Sequence, residues 1–303
     1  MFIRFNNFRF RQREAFSSFA LTIKKETSEM KVLFTLLSCF LFSVFSLSAQ
    51  TYEEWVEKSC DYIDKGDLVS AEASLKAAMR LEPANPANFA LLSNLGTIQR
   101  RQGKKEEALI SYTAALSRHP RSLTILENRA SLYTELGERE KALNDYNTLL
   151  SIDPEDQEAL FCRGMIFIQM KNYLWAEQDF DKILEVNEKS VRGRLGHAIL
   201  EKLRGNYDYS ERIFNYLIKE MPREWILYEE RADLYFLMGK NGRAMADINR
   251  IFTETTPTAS MYVLRGKVKI ALFERESAAE DFQKALELGY DADVIKELMN
   301  FTK

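Results

Sequence analysis

The chain repeats itself every 34 residues, and this period narrows its fold more than any other feature. Copies starting at Phe89, Leu123, Gln157, Val191, Trp225 and Ala259 follow one another at that spacing. A first copy starts at Tyr52, and a three-residue insertion around Asn85-Pro86-Ala87 separates it from the second. A fixed period means that each copy is one supersecondary unit whose apolar face is covered only by its neighbours.

The register of small and large residues says what that unit is. The eighth place holds Ser59, Gly96, Ala130, Gly164, Ala198, Ala232 and Gly266, and the twentieth holds Ala71, Ala108, Ala142, Ala176, Ser210, Ala244 and Ala278. Small side chains at both places let two antiparallel helices cross closely, whereas a large one would force them apart. Between them the fifteenth place is Gly66, Gly103, Gly137, Gly205 and Gly239, as a left-handed helix C-cap requires, with Lys171 and Phe273 departing from it. The twenty-fourth place is large and apolar in every copy: Leu75, Tyr112, Tyr146, Phe180, Phe214, Ile248 and Phe282. All six prolines fall at copy ends, where they interrupt no helix.

This pattern resembles the tetratricopeptide repeat, a 34-residue helix-turn-helix unit, most fully over Leu95-Gly96, Gly103, Ala108, Tyr112, Ala115 and Pro120. The resemblance covers residues 52–292 as seven repeats. It implies an all-α, right-handed superhelical solenoid with first helices on the concave face and second helices on the convex one. Residues 293–303 carry Val294, Leu298 and Phe301 on roughly one face and read as a terminal capping helix. Some family members clamp a C-terminal carboxylate with lysine and asparagine on the first three helices. Those places here hold Val56, Cys60, Ser93 and Thr97, so that clamp is not carried over.

Ahead of the repeats, residues 30–49 read as a secretory signal peptide: Met30-Lys31, an uncharged run from Val32 to Ala49, and small residues before Gln50. Residues 1–29 are either an upstream start misassignment, with Met30 the initiator, or a long basic n-region. Cleavage near Ala49 predicts a periplasmic or secreted body. A retained anchor through residues 32–49 and lipidation at Cys39 stay open as alternatives. The first 49 residues hold seven of the 42 basic and three of the 45 acidic side chains, which leaves the remainder at a formal charge of −7. Such a body attracts neither nucleic acid nor an anionic membrane surface, and no membrane insertion is expected after signal cleavage. Cys60 and Cys162 then read as free, buried thiols.

Chemistry-bearing motifs are sparse. The seventh place holds Arg129, Arg163, Arg231 and Arg265 in the same four copies whose twenty-third place holds Asp145, Asp179, Asp247 and Asp281. Both places lie eight residues from the turn, so the pairs are expected to form bidentate ion pairs within the copy. His197 and Ile213 replace the pair in the fifth copy. Neither His197 nor His119 has a nucleophile or carboxylate set around it, and no phosphate loop, HExxH or paired CxxC occurs. The reading is a non-enzymatic chain with no catalytic residue, no cofactor and no metal site.

Binding remains. The resemblance places the second, fifth, ninth and twelfth positions of each copy on the concave face. These are mixed or polar in copies one to three, including Ser93, Arg100, Glu127 and Ser131. Copies four and five present Phe161, Met165, Ile168, Leu195 and Ile199 between Glu158, Arg192 and Lys202. Two readings follow: an apolar groove for a protein or peptide segment, with Arg192 and Lys202 selecting an acidic ligand, or a tighter local superhelix that buries these side chains against one another. The expected function is a protein-interaction scaffold of the bacterial cell envelope, and the alternative is an accessory subunit of an envelope assembly or secretion complex held by convex-face contacts.

Overall fold

The structure is a computed structural model that describes residues 50–302, and the elements among them are all helical. The signal-peptide, anchor, lipidation and start-site expectations concern residues 1–49 and lie outside the described residues. The chain divides between Asn85 and Pro86 into two units.

The described part of the first unit is one helix pair, α1 (Tyr52–Asp64) and α2 (Leu68–Leu81). Thr51 starts α1 with a reciprocal cap: the Glu54 amide donates to its Oγ1 at 3.2 Å, and its own amide donates to Glu54 Oε2 at 3.1 Å. Asp67 Oδ1 caps α2 by accepting from the Ser70 amide at 3.0 Å. Ser59, Ala71 and Leu75 are buried at the eighth, twentieth and twenty-fourth places.

The second unit holds six further pairs: α3 (Asn88–Arg101) with α4 (Lys105–Arg118), α5 (Leu123–Glu135) with α6 (Arg139–Ile152), α7 (Gln157–Gln169) with α8 (Tyr173–Val186), α9 (Val191–Leu203) with α10 (Tyr207–Glu220), α11 (Trp225–Leu237) with α12 (Asn241–Glu254), and α13 (Ala259–Ala271) with α14 (Arg275–Glu287). Within the unit each helix packs on its sequence neighbours, with one apolar core from α4 to α13 and a smaller cluster around Phe282 and Ile295 at its end. The turn inside each pair passes through the left-handed region at Gly103, Gly137, Gly205 and Gly239, with φ between 69° and 83°. Lys171 and Phe273 take the same conformation, at φ 59° and 65°.

The close crossing works as the small-residue register requires. A Cβ added to Gly96 would lie 2.8 Å from the Tyr112 ring, one on Gly164 2.5 Å from Phe180, and one on Gly266 2.4 Å from Phe282. The twenty-fourth-place ring therefore rests on the backbone at the eighth place of its own copy, and Tyr112, Phe180, Phe214 and Phe282 are fully buried. The four expected clamps form. Arg129 spans Asp145 at 2.8 Å on both oxygens, Arg163 spans Asp179 at 3.0 and 2.6 Å, and Arg231 spans Asp247 at 2.8 and 2.7 Å. Arg265 holds Asp281 by Nε at 2.9 Å and by Nη2. The carboxylates are almost wholly buried, Asp145 to 2% exposure. Burial pushes Asp179 above the ordinary carboxylate range while Arg163 opposes that rise.

The fifth copy is built differently. Gly193 and Gly196 let α9 seat on α8 of the preceding copy: a Cβ at Gly193 would lie 2.8 Å from Leu184, and one at Gly196 2.4 Å from Phe180. Within the second unit, α9 makes the most extensive contact of any first helix with the helix before it, and the least extensive with its own partner, α10. In place of the salt bridge, the buried Ser210 hydroxyl donates to the Ala198 carbonyl at 2.7 Å.

The unit ends in α15 (Ala292–Met299) and a 3-10 turn, Asn300–Thr302. Ile295, at 2% exposure, is its buried anchor, with Leu298 and Met299 beside it. Val294 and Phe301 face outward, at 39% and 62% exposure, because the helix meets α14 about one residue's rotation from the expected stripe.

Candidate partner-binding face

The first helices of the second unit carry the expected site, and polar contacts join α3 to α5, α7 to α9, α9 to α11 and α11 to α13. Arg100 on α3 reaches Glu135 and Ser131 on α5. Arg192 on α9 pairs with Glu158 on α7. Lys202 on α9 donates to Glu230 at 2.7 Å and Asp233 at 2.6 Å on α11, and Ser260 on α13 donates to Glu229 at 3.3 Å. The cations of this face are thus spent on its own carboxylates.

That arrangement corrects the role expected for Lys202 and Arg192. Lys202 is 6% exposed, and two acidic partners surround its ammonium. Burial works against that charge, yet Glu230 and Asp233 hold its proton affinity above the ordinary lysine range. Arg192 remains exposed but is paired with Glu158, so neither offers a free positive charge to an acidic ligand. The apolar set is split as well. Ile168, Leu195 and Ile199 are 6–9% exposed, because the approach of α9 toward α7 and α8 closes over them. Phe161 and Met165 stay half-buried, and the Phe161 ring lies 6.0 Å from Phe180.

What sequence reasoning missed is the charge that remains. Glu127 on α5 and Glu229 on α11 are half-buried carboxylates on the same row of positions. Burial pushes Glu127 up, Asp156 and Glu158 push further, and Arg192 opposes them. Burial likewise raises Glu229, with Glu230 and Asp233 adding to it and the Ser260 hydrogen bond opposing. The signal was present in the spacing, since Glu229 occupies the fifth place of its copy as Glu127 does of its own. Beside Glu127, burial raises the Cys162 thiol to about 11, and its Sγ lies 3.6 Å from Glu158 Oε1. Cys60 in the first unit is exposed, contrary to the expectation of a buried thiol, and both cysteines are free. Among the described residues, no group of three or more His, Cys, Asp and Glu side chains is placed to hold a metal ion. No described helix is long and apolar enough to cross a membrane.

Tetratricopeptide-repeat family profiles match residues 56–122, 123–156 and 259–288. The chain is 75% identical to a tetratricopeptide repeat protein of Parabacteroides merdae ATCC 43184 whose crystal structure is known. That match covers 83% of this chain and 98% of the other, with a TM-score of 0.77. PilW, a type IV pilus biogenesis factor, shares the fold at 20% identity, over 69% of this chain and 98% of its own, with a TM-score of 0.56. MamA of Desulfovibrio magneticus RS-1 shares it at 13% identity, over 57% and 97%, with a TM-score of 0.51. Repeats of this kind generally serve as non-enzymatic scaffolds that bind proteins or peptides. Period, helix pairing, buried rings and a relative three-quarters identical all agree: the chain belongs to the tetratricopeptide-repeat family.

Proposed function

We propose that the protein is a non-enzymatic interaction scaffold of the bacterial cell envelope that binds a peptide or protein segment along the first helices of its second unit. The observation that carries this reading is the placing of half-buried Phe161 in one row of fifth positions with the raised carboxylates Glu127 and Glu229, with half-buried Met165 one turn further along its helix. Apolar surface beside acidic side chains favours a segment with apolar anchors and basic side chains, and disfavours an acidic one. The uncharged run from Val32 to Ala49 supports export.

Fluorescence anisotropy with a labelled Leu/Lys helical peptide and its Leu/Glu counterpart tests the ligand class. The basic peptide should bind, and Phe161→Glu or the Glu127→Gln/Glu229→Gln pair should weaken it. A bound cation favours the charged carboxylates, whose proton affinity is raised, so affinity should fall as pH drops through that raised range. Equal binding of the acidic peptide, or indifference to these substitutions, overturns the reading. Intact-mass analysis of the native envelope fraction tests the location, with a start at Gln50 expected.

A second reading, an assembly subunit held through its second helices, draws on the exposure of Ile110, Leu174 and Trp175 at 70%, 64% and 56%. Stoichiometric co-purification that survives Phe161→Glu but not Trp175→Glu would favour it.

A further inference from the structure

In the third, fourth and sixth copies the clamp arginine does more than hold its aspartate. Its Nη1 also reaches back to the twenty-fifth place of the preceding copy, bridging Thr113, Asn147 and Asn215 at 3.1, 2.7 and 2.7 Å. The guanidinium therefore fills the space between successive second helices. In the fifth copy the shorter His197 makes only the reach-back contact, Nε2 to Asp181 Oδ1 at 3.0 Å, and Ile213 offers it no acceptor. With α9 drawn onto α8 through Gly193 and Gly196, the space between α8, α9 and α10 opens into a cavity of about 510 Å³. That volume falls within the range of small-molecule sites.

Its walls have a specific chemistry. Arg194 lies 4.7 Å from the Tyr216 ring and Arg212 5.4 Å from Tyr209, and both rings are substantially exposed, at 41% and 50%. Neither arginine makes an ion pair among the described residues, and the acidic residues of the lining are Asp181, engaged by His197, and Glu188. Arg194 Nη2 donates to the Glu188 carbonyl at 3.1 Å, and its Nε is buried without a hydrogen-bond partner. A cationic guest would meet two guanidinium groups already stacked on the aromatic faces. An oxyanion would be met by the Arg194 and Arg212 guanidinium groups, and a flat apolar body joined to it would lie beside the tyrosines.

We infer that the fifth copy carries a second binding site, distinct from the first-helix face, for a small organic anion: a phosphate or carboxylate joined to a flat apolar body. The site exists because the clamp is missing there, so restoring the clamp should remove it. The double substitution His197→Arg/Ile213→Asp recreates the pair of the neighbouring copies and fills the cavity with a guanidinium. This gives a loss-of-binding variant that keeps the fold.

The test titrates the full chain with phenyl phosphate, benzoate, inorganic phosphate and benzamidine, read by isothermal calorimetry and by the melting temperature. Phenyl phosphate or benzoate should bind saturably, and whichever binds more tightly identifies the oxyanion. Inorganic phosphate should bind more weakly for want of a body to stack, and benzamidine should not bind. Arg212→Gln, at an exposed position, should weaken binding about tenfold, as loss of a charged donor does. The clamp-restored variant should melt no lower than the parent and bind none of the probes. Absence of saturable binding to either aromatic anion, equal binding of benzamidine, or undiminished binding by the clamp-restored variant overturns the inference.

Discussion

The fourth and fifth copies are adjacent in one stack, share a period, and differ in what fastens their two helices. In the fourth, Arg163 crosses to Asp179 under a ring that rests on Gly164, so α7 and α8 are locked to each other. In the fifth, a histidine and an isoleucine stand at those places, one hydroxyl bridges the pair, and α9 settles on the preceding α8. The difference separates two jobs that the repeat motif usually combines. Small residues and a large buried side chain suffice to make a helix pair, since the second copy pairs its helices closely with neither clamp residue present, while in the fifth copy Gly193 and Gly196 draw the first helix onto its neighbour. At the fifth copy the first-helix face closes over Ile168, Leu195 and Ile199, and a cavity opens on the other side.

Breaking a clamp tests that division most severely. Arg163→Ala leaves the Asp179 carboxylate, 5% exposed, without its cation, and should cost about 3–5 kcal/mol in urea unfolding followed by circular dichroism. His197→Ala removes a contact whose Asp181 partner is 57% exposed, and should cost no more than about 1 kcal/mol. Similar costs for the two would mean that the fourth and fifth copies are fastened alike, and the comparison would fail.

Gly196→Ala probes the other half. Its Cβ would meet the Phe180 ring at 2.4 Å, and overpacking of this kind costs about 1–3 kcal/mol. If α9 is held on α8 by that close approach, the substitution should also loosen the cover on Leu195 and Ile199, read as faster amide exchange along α9. A loss of stability with unchanged exchange would place the cause elsewhere.

The helix pairs and their closest contacts were legible in the sequence because they depend on residue size at fixed spacing, and size is written in each letter. The clamps were legible for a similar reason: Arg129 and Asp145 lie equally far from the turn. The face was less so. Lys202 reads as a free charge until Glu230 and Asp233, 28 and 31 residues away, are placed beside it, and Ile168 reads as exposed until α9 tilts. Both depend on the angle between successive copies, which the period does not record. The cap misled in a smaller way, since Ile295 rather than Val294 meets α14.

The thiols sharpen the contrast between a covered and an open site without touching stability. Cys162 sits under the first-helix face with its thiol raised to about 11 by burial and by the acidic side chains of Glu158 and Glu127, and Cys60 is exposed. At pH 8 the thiolate fraction at Cys162 is on the order of one in a thousand, so iodoacetamide should label Cys60 well before it, as peptide mass mapping would show. Equal labelling would mean that the face over α7 opens readily.

The smallest effect expected is at the turns. Phe273 holds φ 65° at a place where the second, third, fifth and sixth copies have glycine, and its ring is 87% exposed. A left-handed conformation costs a residue with a Cβ about 1–2 kcal/mol, and glycine gives back part of that gain through a more flexible unfolded chain. Phe273→Gly should therefore stabilise the seventh copy by no more than about 1 kcal/mol, seen as a small rise in the urea midpoint at unchanged slope. Lys171→Gly in the clamped fourth copy provides the internal comparison, because its φ of 59° carries the same strain without an exposed ring. Gains of equal size in the two would assign the whole effect to the backbone. A net loss at Phe273 alone would mean that the ring makes a stabilising contact across the turn that outweighs its strain.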